Sequence, residues 1–118
     1  MNITKAHEDR RGYTYSLKDD NLVYPEVSIF FTKKGFARGG CIHDDDEYFC
    51  VVSGEVCLVL DGMFQMSDGM VKKILKDTPH YFVAQTNCIV MEWGCQEKGQ
   101  KDPDYRDIVK QINENQYI

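Results

Sequence analysis

The amino-acid sequence predicts an all-β protein, a sandwich or a barrel, that ends in one short helix. Two observations lead to this prediction. Short apolar runs alternate with turn-forming residues through most of the chain, and Gly or Asn marks the separators. Many short strands spaced in this way are typical of sandwiches and barrels. The C-terminal segment departs from this pattern, because its apolar residues recur at helical spacing.

Six apolar runs are the candidate strands. They cover residues 27–32, 47–52, 55–60, 71–75, 80–84 and 88–94. Between the second and third runs, Ser53 and Gly54 form a candidate tight hairpin turn. Two Asp-Gly pairs bracket a shorter element, "MFQMS".

The predicted helix covers residues 103–114. Asp102 is suited to cap it, and Pro103 is favoured at the first helical position. The apolar residues that follow occupy the i, i+3, i+4 and i+7 positions of one helix face: Tyr105, Ile108, Val109 and Ile112. We therefore expect this helix to pack on the outside of the β body.

Size and charge exclude several classes of protein. The chain has 118 residues, 42% of them hydrophobic, which predicts a single domain over residues 1–118 with one modest core. The formal net charge of −5 argues against nucleic-acid binding, which needs a basic face. No apolar run is long enough to span a membrane. The polar N-terminus "MNITKAHEDRRGY" lacks a signal-peptide core, so a cytoplasmic protein is expected.

The cysteines fit a reducing compartment. There are five of them, with no C-x-x-C pair, and in such a compartment most are interpreted as small buried hydrophobes. Cys41 is the exception, because His43 and Glu47 follow it closely.

Residues 41–47 are the first candidate site. Cys41, His43 and Glu47 share the parity of Phe49 and Val51, so an extended segment over residues 41–52 would turn all of them to one face. Buried polar groups are costly unless they are paired or ligated. This combination therefore predicts a polar patch at one end of a barrel interior.

His80 is the second candidate. It opens a strand whose residues of the same parity are Phe82 and Ala84, so its imidazole is also predicted to point inward. With His43 and Glu47 it would offer two imidazoles and a carboxylate to one divalent ion, Fe, Mn, Ni or Zn, with open positions left for a ligand. A thiolate from Cys41 would favour zinc.

Simpler interpretations stay open. His43 could lie in a solvated loop, and His80 could bond only to backbone. Glu47 could be a strand-edge carboxylate, and Cys41 a small filler. The three aspartates at 44–46 are most simply an exposed turn.

The spacing of these residues resembles the cupin family. Its first motif, G-x5-H-x-H-x3-E-x6-G, matches Gly35, Cys41, His43, Glu47 and Gly54, with Cys41 at the position of the family's first His.

The second cupin motif, G-x5-P-x-G-x2-H-x3-N, matches Gly69 and His80. Leu75, Asp77 and Ala84 replace its Pro, Gly and Asn. The two motifs together cover residues 35–84. The resemblance implies a small antiparallel β-barrel or jelly roll, usually a homodimer, with the site in the barrel mouth and metal ligands at His43, Glu47 and His80.

A narrower resemblance joins residues 30–62 to the sugar-nucleotide cupins, which include the dTDP-sugar 3,4-ketoisomerases of polysaccharide biosynthesis. It rests on "KKGFARGGCIH" and on the "VVSG" that follows. It implies that Arg38 binds a nucleotide diphosphate and that inward histidines move a proton beside a ketone. Only His43 of the family's histidine pair is present here.

The favoured function is therefore an enzyme, an isomerase or epimerase of a nucleotide-linked sugar. His43 and His80 would act as base and partner, and Tyr48, Phe82 or Trp93 would stack on the substrate. One alternative is a metal-dependent oxygenase or lyase that uses His43, Glu47, His80 and Cys41. Another is a sugar-binding module without catalysis.

Overall fold

The computed structural model describes residues 2–21, 26–94 and 100–116, apart from the side chains of Cys41, Gln100 and Lys101. Within these ranges it contains eleven strands and one helix. The strands are Asn2–Asp9 (β1), Gly12–Lys18 (β2), Glu26–Thr32 (β3), Ala37–Ile42 (β4), Glu47–Ser53 (β5), Glu55–Val59 (β6), Met63–Ser67 (β7), Val71–Ile74 (β8), His80–Ala84 (β9), Cys88–Trp93 (β10) and Gln100–Lys101 (β11), and the helix is Pro103–Glu114 (α1).

The strands form two antiparallel sheets. The larger sheet has the order β1-β2-β3-β10-β5-β8, and the smaller has the order β11-β4-β9-β6-β7. The predicted all-β fold with a short C-terminal helix is confirmed, and its architecture is that of a jelly roll.

The hydrophobic core lies between the two sheets. Every second residue of β9 is buried, and the same alternation runs through the first five residues of β5, as expected when one face of a strand is covered. Phe49 and Val51 of the larger sheet belong to the same buried cluster as Leu58 and Phe82 of the smaller sheet. The rings of Phe49 and Phe82 meet edge to face with centroids 5.3 Å apart. Each such side chain contributes about 1.5–3 kcal/mol by leaving water.

Helix α1 packs against β4 and β9 of the smaller sheet. Its start follows the sequence prediction, since the Asp102 carboxylate accepts a hydrogen bond from the Tyr105 N–H at 3.1 Å and Pro103 occupies the first turn. The Asn113 side chain fastens the helix to β4. Its Oδ1 accepts from the Ala37 N–H at 2.7 Å, and its Nδ2 donates to the Ala37 carbonyl at 3.0 Å.

The sequence analysis did not predict the strands β1, β2 and β4. Strand β1 is exposed along its whole length, so no alternation of apolar residues marks it. Strand β2 pairs with β1 and β3 and does alternate, with Tyr13, Tyr15 and Leu17 on one face, so it could have been found from the sequence. Strand β4 contains Gly39 and Gly40, both at positive φ, and a bulge at this point shifts its register against β9.

The prediction that residues 41–52 form one extended segment is wrong. The chain leaves β4 after Ile42, bends at residues 44–45 and re-enters the sheets at Glu47. His43 therefore lies in a loop and not in the same strand as Glu47.

Within the described ranges, no helix combines the length and the apolar character that a membrane span requires.

Candidate metal centre and ligand cavity

Three polar side chains converge at one end of the two sheets. Glu47 is the first residue of β5 in the larger sheet, and His80 is the first residue of β9 in the smaller sheet. His43 follows the end of β4, the neighbour of β9. One ligand atom from each of the three residues lies within 4.8 Å of the others.

The loop that carries His43 and the loop that leads to His80 are tied to each other. The Asp77 N–H donates to the His43 carbonyl at 2.8 Å, and the Lys76 N–H donates to the Asp46 carboxylate at 2.8 Å. The latter hydrogen bond holds the pKa of Asp46 below its ordinary value. Lys73 adds an ion pair to Asp46 at 3.5 Å. The prediction that the three aspartates form an exposed turn therefore holds only in part, because Asp46 anchors the loop that leads to His80.

Glu47 lies between the two imidazoles. Its Oε1 is 2.5 Å from His80 Nε2, and its Oε2 is 3.6 Å from His43 Nε2. Glu47 and His80 are only 3% and 4% exposed. The two imidazole rings have centroids 6.0 Å apart.

Two atoms of the cluster lack a hydrogen bond within the described part of the chain. These are Nδ1 of His43 and Oε1 of Glu47, both inaccessible to water. The ion-pair partner of Glu47 Oε1 is His80 Nε2, 2.5 Å away. A buried carboxylate needs a positive charge beside it. A divalent ion held between the three residues would supply that charge when His80 is neutral, and two imidazoles with one carboxylate are donors that such an ion accepts, so the cluster fits a divalent metal ion.

A backbone contact orients His80 for such an ion. Its Nδ1 lies 3.0 Å from the Thr78 carbonyl, which can only accept, so Nδ1 carries the proton of the neutral ring and Nε2 is left as the ligand atom. In the metal-free protein the ring is protonated at both nitrogens. Burial lowers the pKa of His80, but the contact with Glu47 and the charge of Glu92 outweigh it and raise that pKa to about 9.

A cavity of about 300 Å³ adjoins the cluster through His80, at the lower end of the size range of small-molecule sites. Its apolar wall includes Phe30 and Phe82, and its polar wall includes Glu92. Burial and the nearby charge of Glu47 raise the pKa of Glu92 to about 8. This carboxyl group is therefore poised to hold or release a proton near neutral pH.

Three arginines also line the cavity, although the protein as a whole is acidic. Arg38 is 5% exposed, and its Nε donates to the Thr32 hydroxyl at 2.8 Å. Burial lowers its pKa to about 10, so it remains charged at neutral pH. Arg11 is paired with Asp9 at 2.7 Å, and Arg106 donates to the Gly39 carbonyl at 3.0 Å. The cavity therefore offers several guanidinium groups to an anion.

The structure separates the other predicted site residues into two groups. Phe82 and Arg38 line the cavity. Tyr48 and Trp93 stack on each other with ring centroids 5.6 Å apart. They alternate with the inward residues of β5 and β10, so they lie on the outer face of the larger sheet. They therefore do not line this cavity, contrary to the prediction that they stack on a substrate there.

The role of Cys41 as a metal ligand remains a prediction. Its backbone pairs with His80, but its side chain lies outside the described part of the structure. Sequence reasoning missed Glu92, although that residue has the parity of the buried Cys88 and Val90 in β10 and so could have been found. It also missed Arg11 and Arg106, which reach the cavity from distant segments and carry no local signal.

Comparison with known proteins identifies the fold. No protein-family model matches the sequence, and no curated protein matches it either. Among solved structures, CapF of Staphylococcus aureus, a capsular polysaccharide assembling protein, is similar with a TM-score of 0.69 at 19% identity. The similarity covers 82% of this chain and 30% of CapF, so this chain matches less than a third of the CapF chain.

Two further structures are similar over most of this chain. A cupin superfamily protein from Desulfitobacterium hafniense has a TM-score of 0.63 at 13% identity, over 77% of this chain and 84% of its own. A structure from work on the DMSP lyases RdDddP and RnDddQII has a TM-score of 0.61 at 17% identity, over 73% of this chain and 48% of its own. Likenesses at this level of identity establish the fold. This chain therefore has the cupin fold.

Proposed function

We propose that the chain is a metal-dependent cupin enzyme that isomerises or epimerises an anionic keto sugar, with a nucleotide-linked sugar as its substrate. One observation carries this proposal. His80 belongs both to the cluster of potential metal ligands and to the wall of an arginine-lined cavity. An anion held by the arginines would thus present its neighbouring carbon atoms to the metal centre.

His43, Glu47 and His80 are the proposed metal ligands. Two imidazoles and a carboxylate suit Mn, Fe, Ni or Zn and leave coordination positions open. Such an ion, when bound, polarises a carbonyl oxygen as a Lewis acid. A thiolate from Cys41 would move the preference toward zinc.

The cavity wall supplies binding and orientation. Arg38 and Arg106 are proposed to donate hydrogen bonds to the phosphate oxygens of the substrate, since guanidinium groups bind phosphate in a bidentate manner. Phe30 and Phe82 would pack against the less polar face of the sugar. Their rings lie 6.5 Å apart between centroids, so they form one continuous apolar wall.

Glu92 is the proposed proton carrier. Movement of a carbonyl between adjacent sugar carbons requires a base to take a carbon-bound proton. His43 and His80 were the sequence-based candidates, but an imidazole nitrogen that binds a metal cannot also accept a proton. Glu92 lines the same cavity as His80, and burial raises the pKa of its carboxyl group above the ordinary value, toward the range that suits proton transfer near neutral pH.

The similarity to CapF supports the substrate class, because CapF is a capsular polysaccharide assembling protein. The sugar-nucleotide resemblance of residues 30–62 supports it independently. The similarity to a structure from work on DMSP lyases favours one second candidate, a metal-dependent lyase of a small anion.

Metal analysis and ligand binding test the proposal together. We expect about one divalent ion per purified chain, its loss in His80→Ala, and thermal stabilisation of the wild type by dTDP- or UDP-sugars. Turnover would be followed by NMR in D2O, where isomerisation exchanges a sugar C–H for C–D. Elimination products would favour the lyase, and binding without exchange would favour a sugar-binding module. Absence of both a bound ion and nucleotide-sugar binding would refute the proposal.

A further inference from the structure

We propose that His7 is a second proton-transfer residue of the arginine-lined cavity and that the reaction is therefore an epimerisation. This inference rests on the proposed function and adds a residue and a stereochemical outcome to it. His7 lies in β1 and lines the cavity together with His80 and Glu92. It is not a member of the metal cluster, so its imidazole stays available for proton transfer when an ion is bound.

The Asp9 carboxylate fixes the protonation of the His7 ring. Asp9 Oδ2 lies 3.0 Å from His7 Nε2, and Arg11 holds the same carboxylate through its backbone N–H at 2.8 Å and its Nε at 2.9 Å. Burial raises the pKa of Asp9, but the hydrogen bonds from Arg11 and His7 outweigh it and keep that pKa below its ordinary value. An ionised carboxylate only accepts, so Nε2 carries the proton of the neutral ring and Nδ1 can take or give another.

Strand order places His7 and Glu92 on opposite sides of the cavity. His7 is in β1 and Glu92 is in β10, and β2 and β3 lie between these strands in the larger sheet. At about 4.8 Å per strand, the two backbones are roughly 14 Å apart. Thr14 of β2 pairs with His7, Phe30 of β3 pairs with Thr14, and both line the cavity. They form a floor between the two proton-transfer groups, with room for a sugar ring above it.

The two ends of the cavity differ in their access to water. The His7 side chain is 55% exposed. Glu92 lies at the other end, close enough to the buried His80 for its charge to raise the pKa of that imidazole. His7 therefore marks the open end of the cavity, where water can return or remove its proton between turnovers.

Two groups on opposite sides permit inversion at one carbon atom. The Glu92 carboxylate takes the proton from a carbon beside the ketone, and the electron pair of that C–H bond moves toward the carbonyl oxygen to give an enolate. Protonated His7 then delivers a proton to the opposite face of the same carbon. The enolate electron pair forms the new C–H bond, and the ketone is restored. The products are the epimer, protonated Glu92 and neutral His7, and exchange with water resets both groups.

Exchange in D2O separates the roles of the two residues. The probe is dTDP-4-keto-6-deoxyglucose with the metal-loaded protein, followed by proton NMR. The wild type should form an epimer that carries deuterium at the inverted carbon. His7→Gln should form it at least about 100-fold more slowly, as loss of an acid–base group does, but should still exchange the same C–H of the unconverted substrate through Glu92. Glu92→Gln should lose both activities.

Two controls distinguish proton transfer from a structural role of His7. Glu8→Gln removes a charge from the adjacent position of β1, which pairs with Tyr13 and does not line the cavity, so both rates should be unchanged. Added imidazole should restore epimer formation to His7→Ala, because the position is open to water. Thermal unfolding of each variant confirms that it is folded.

The possible results separate this inference from the proposed function. Epimer formation at the wild-type rate in His7→Gln would overturn the inference and leave the proposed function intact. A product with a shifted carbonyl and no inverted carbon would do the same, since a carbonyl shift can use one base on one face. Absence of both exchange and binding of the probe in the wild type would refute the proposed function, and this inference with it.

Discussion

His80 and Glu47 meet across the gap between the two sheets, with Nε2 and Oε1 2.5 Å apart. The contact joins the first residues of β9 and β5, which belong to different sheets. Because both residues are almost completely buried, an ion, or a proton on His80, must balance the carboxylate charge. The metal state of the protein and its stability are therefore coupled at this contact.

Replacement of Glu47 by Gln should remove the metal ion. Loss of outer-shell partners alone costs 10–100-fold in affinity, so we expect loss of the charged ligand to weaken binding by at least about 100-fold. The measurement is metal content after dialysis against a dilute chelator. Asp44→Asn is the matched control, because Asp44 is exposed in the same loop and its variant should retain the ion. Full metal content in Glu47→Gln would contradict the assignment.

Stability of the metal-free protein should fall as pH rises from about 5 to 9. The folded-state pKa of His80 is raised from 6.5 to about 9, so its stabilising effect is complete below pH 6.5 and is lost as pH rises through 9. The raised pKa of Glu92 acts in the same direction. The His80 contribution is on the order of 3 kcal/mol. Thermal unfolding in EDTA across this range measures the effect.

Added metal should reverse this trend. Neutral His80 is the ligand, so binding releases its proton and becomes stronger as pH rises. The stabilisation by Mn²⁺ or Zn²⁺ over EDTA should therefore be larger at pH 8 than at pH 6. Stabilisation that does not depend on pH would indicate that His80 is not a ligand.

Arg38→Met should weaken binding of the anionic part of the ligand and leave the metal in place. Hydrogen bonds to charged groups are worth about 1.5–3 kcal/mol, which corresponds to a loss of roughly 10–150-fold in affinity for dTDP. Isothermal titration with dTDP measures this loss. Lys33→Met removes an exposed positive charge between β3 and β4 that does not line this cavity, and it should change the affinity little. Equal losses in both variants would indicate a general charge effect.

Gly39→Ala should destabilise the fold and disturb the metal centre. Gly39 has a φ of 121°, and a Cβ there would lie 2.7 Å from the Tyr81 Cα, next to His80. Gly69→Ala is the control, because Gly69 also has a positive φ, 81°, but no atom lies within 4 Å of its added Cβ. We expect about 1 kcal/mol for Gly69→Ala and a larger loss for Gly39→Ala. Equal melting temperatures would refute the role of this close approach.

Sequence reasoning succeeded where the signal is local. The bounds of α1 followed from Asp102, Pro103 and a helical period, all within one segment. Strands β5 and β9 followed from their alternation, since one face of each is buried. The motif spacing indicated His43, Glu47 and His80, and the structure brings these three together.

The rest depends on contacts between distant segments. Strand β4 was missed because Gly39 and Gly40 interrupt any period. The wrong placement of Tyr48 beside the substrate could have been avoided from the sequence, because its parity is opposite to that of Glu47 in the same strand. The position of Arg106 beside the cavity depends on how α1 docks, and no sequence pattern specifies that docking.

The hydrogen bonds that join the His43 carbonyl to Asp77 and the Asp46 carboxylate to Lys76 have a consequence for metal exchange. The loop that carries His43 and the loop that leads to His80 both acquire their positions when the chain folds, so the conformational entropy of assembling the ligands is lost at that stage and not on metal capture. Different divalent ions should therefore enter and leave without refolding. Their relative affinities should then reflect coordination chemistry and not rearrangement of the protein.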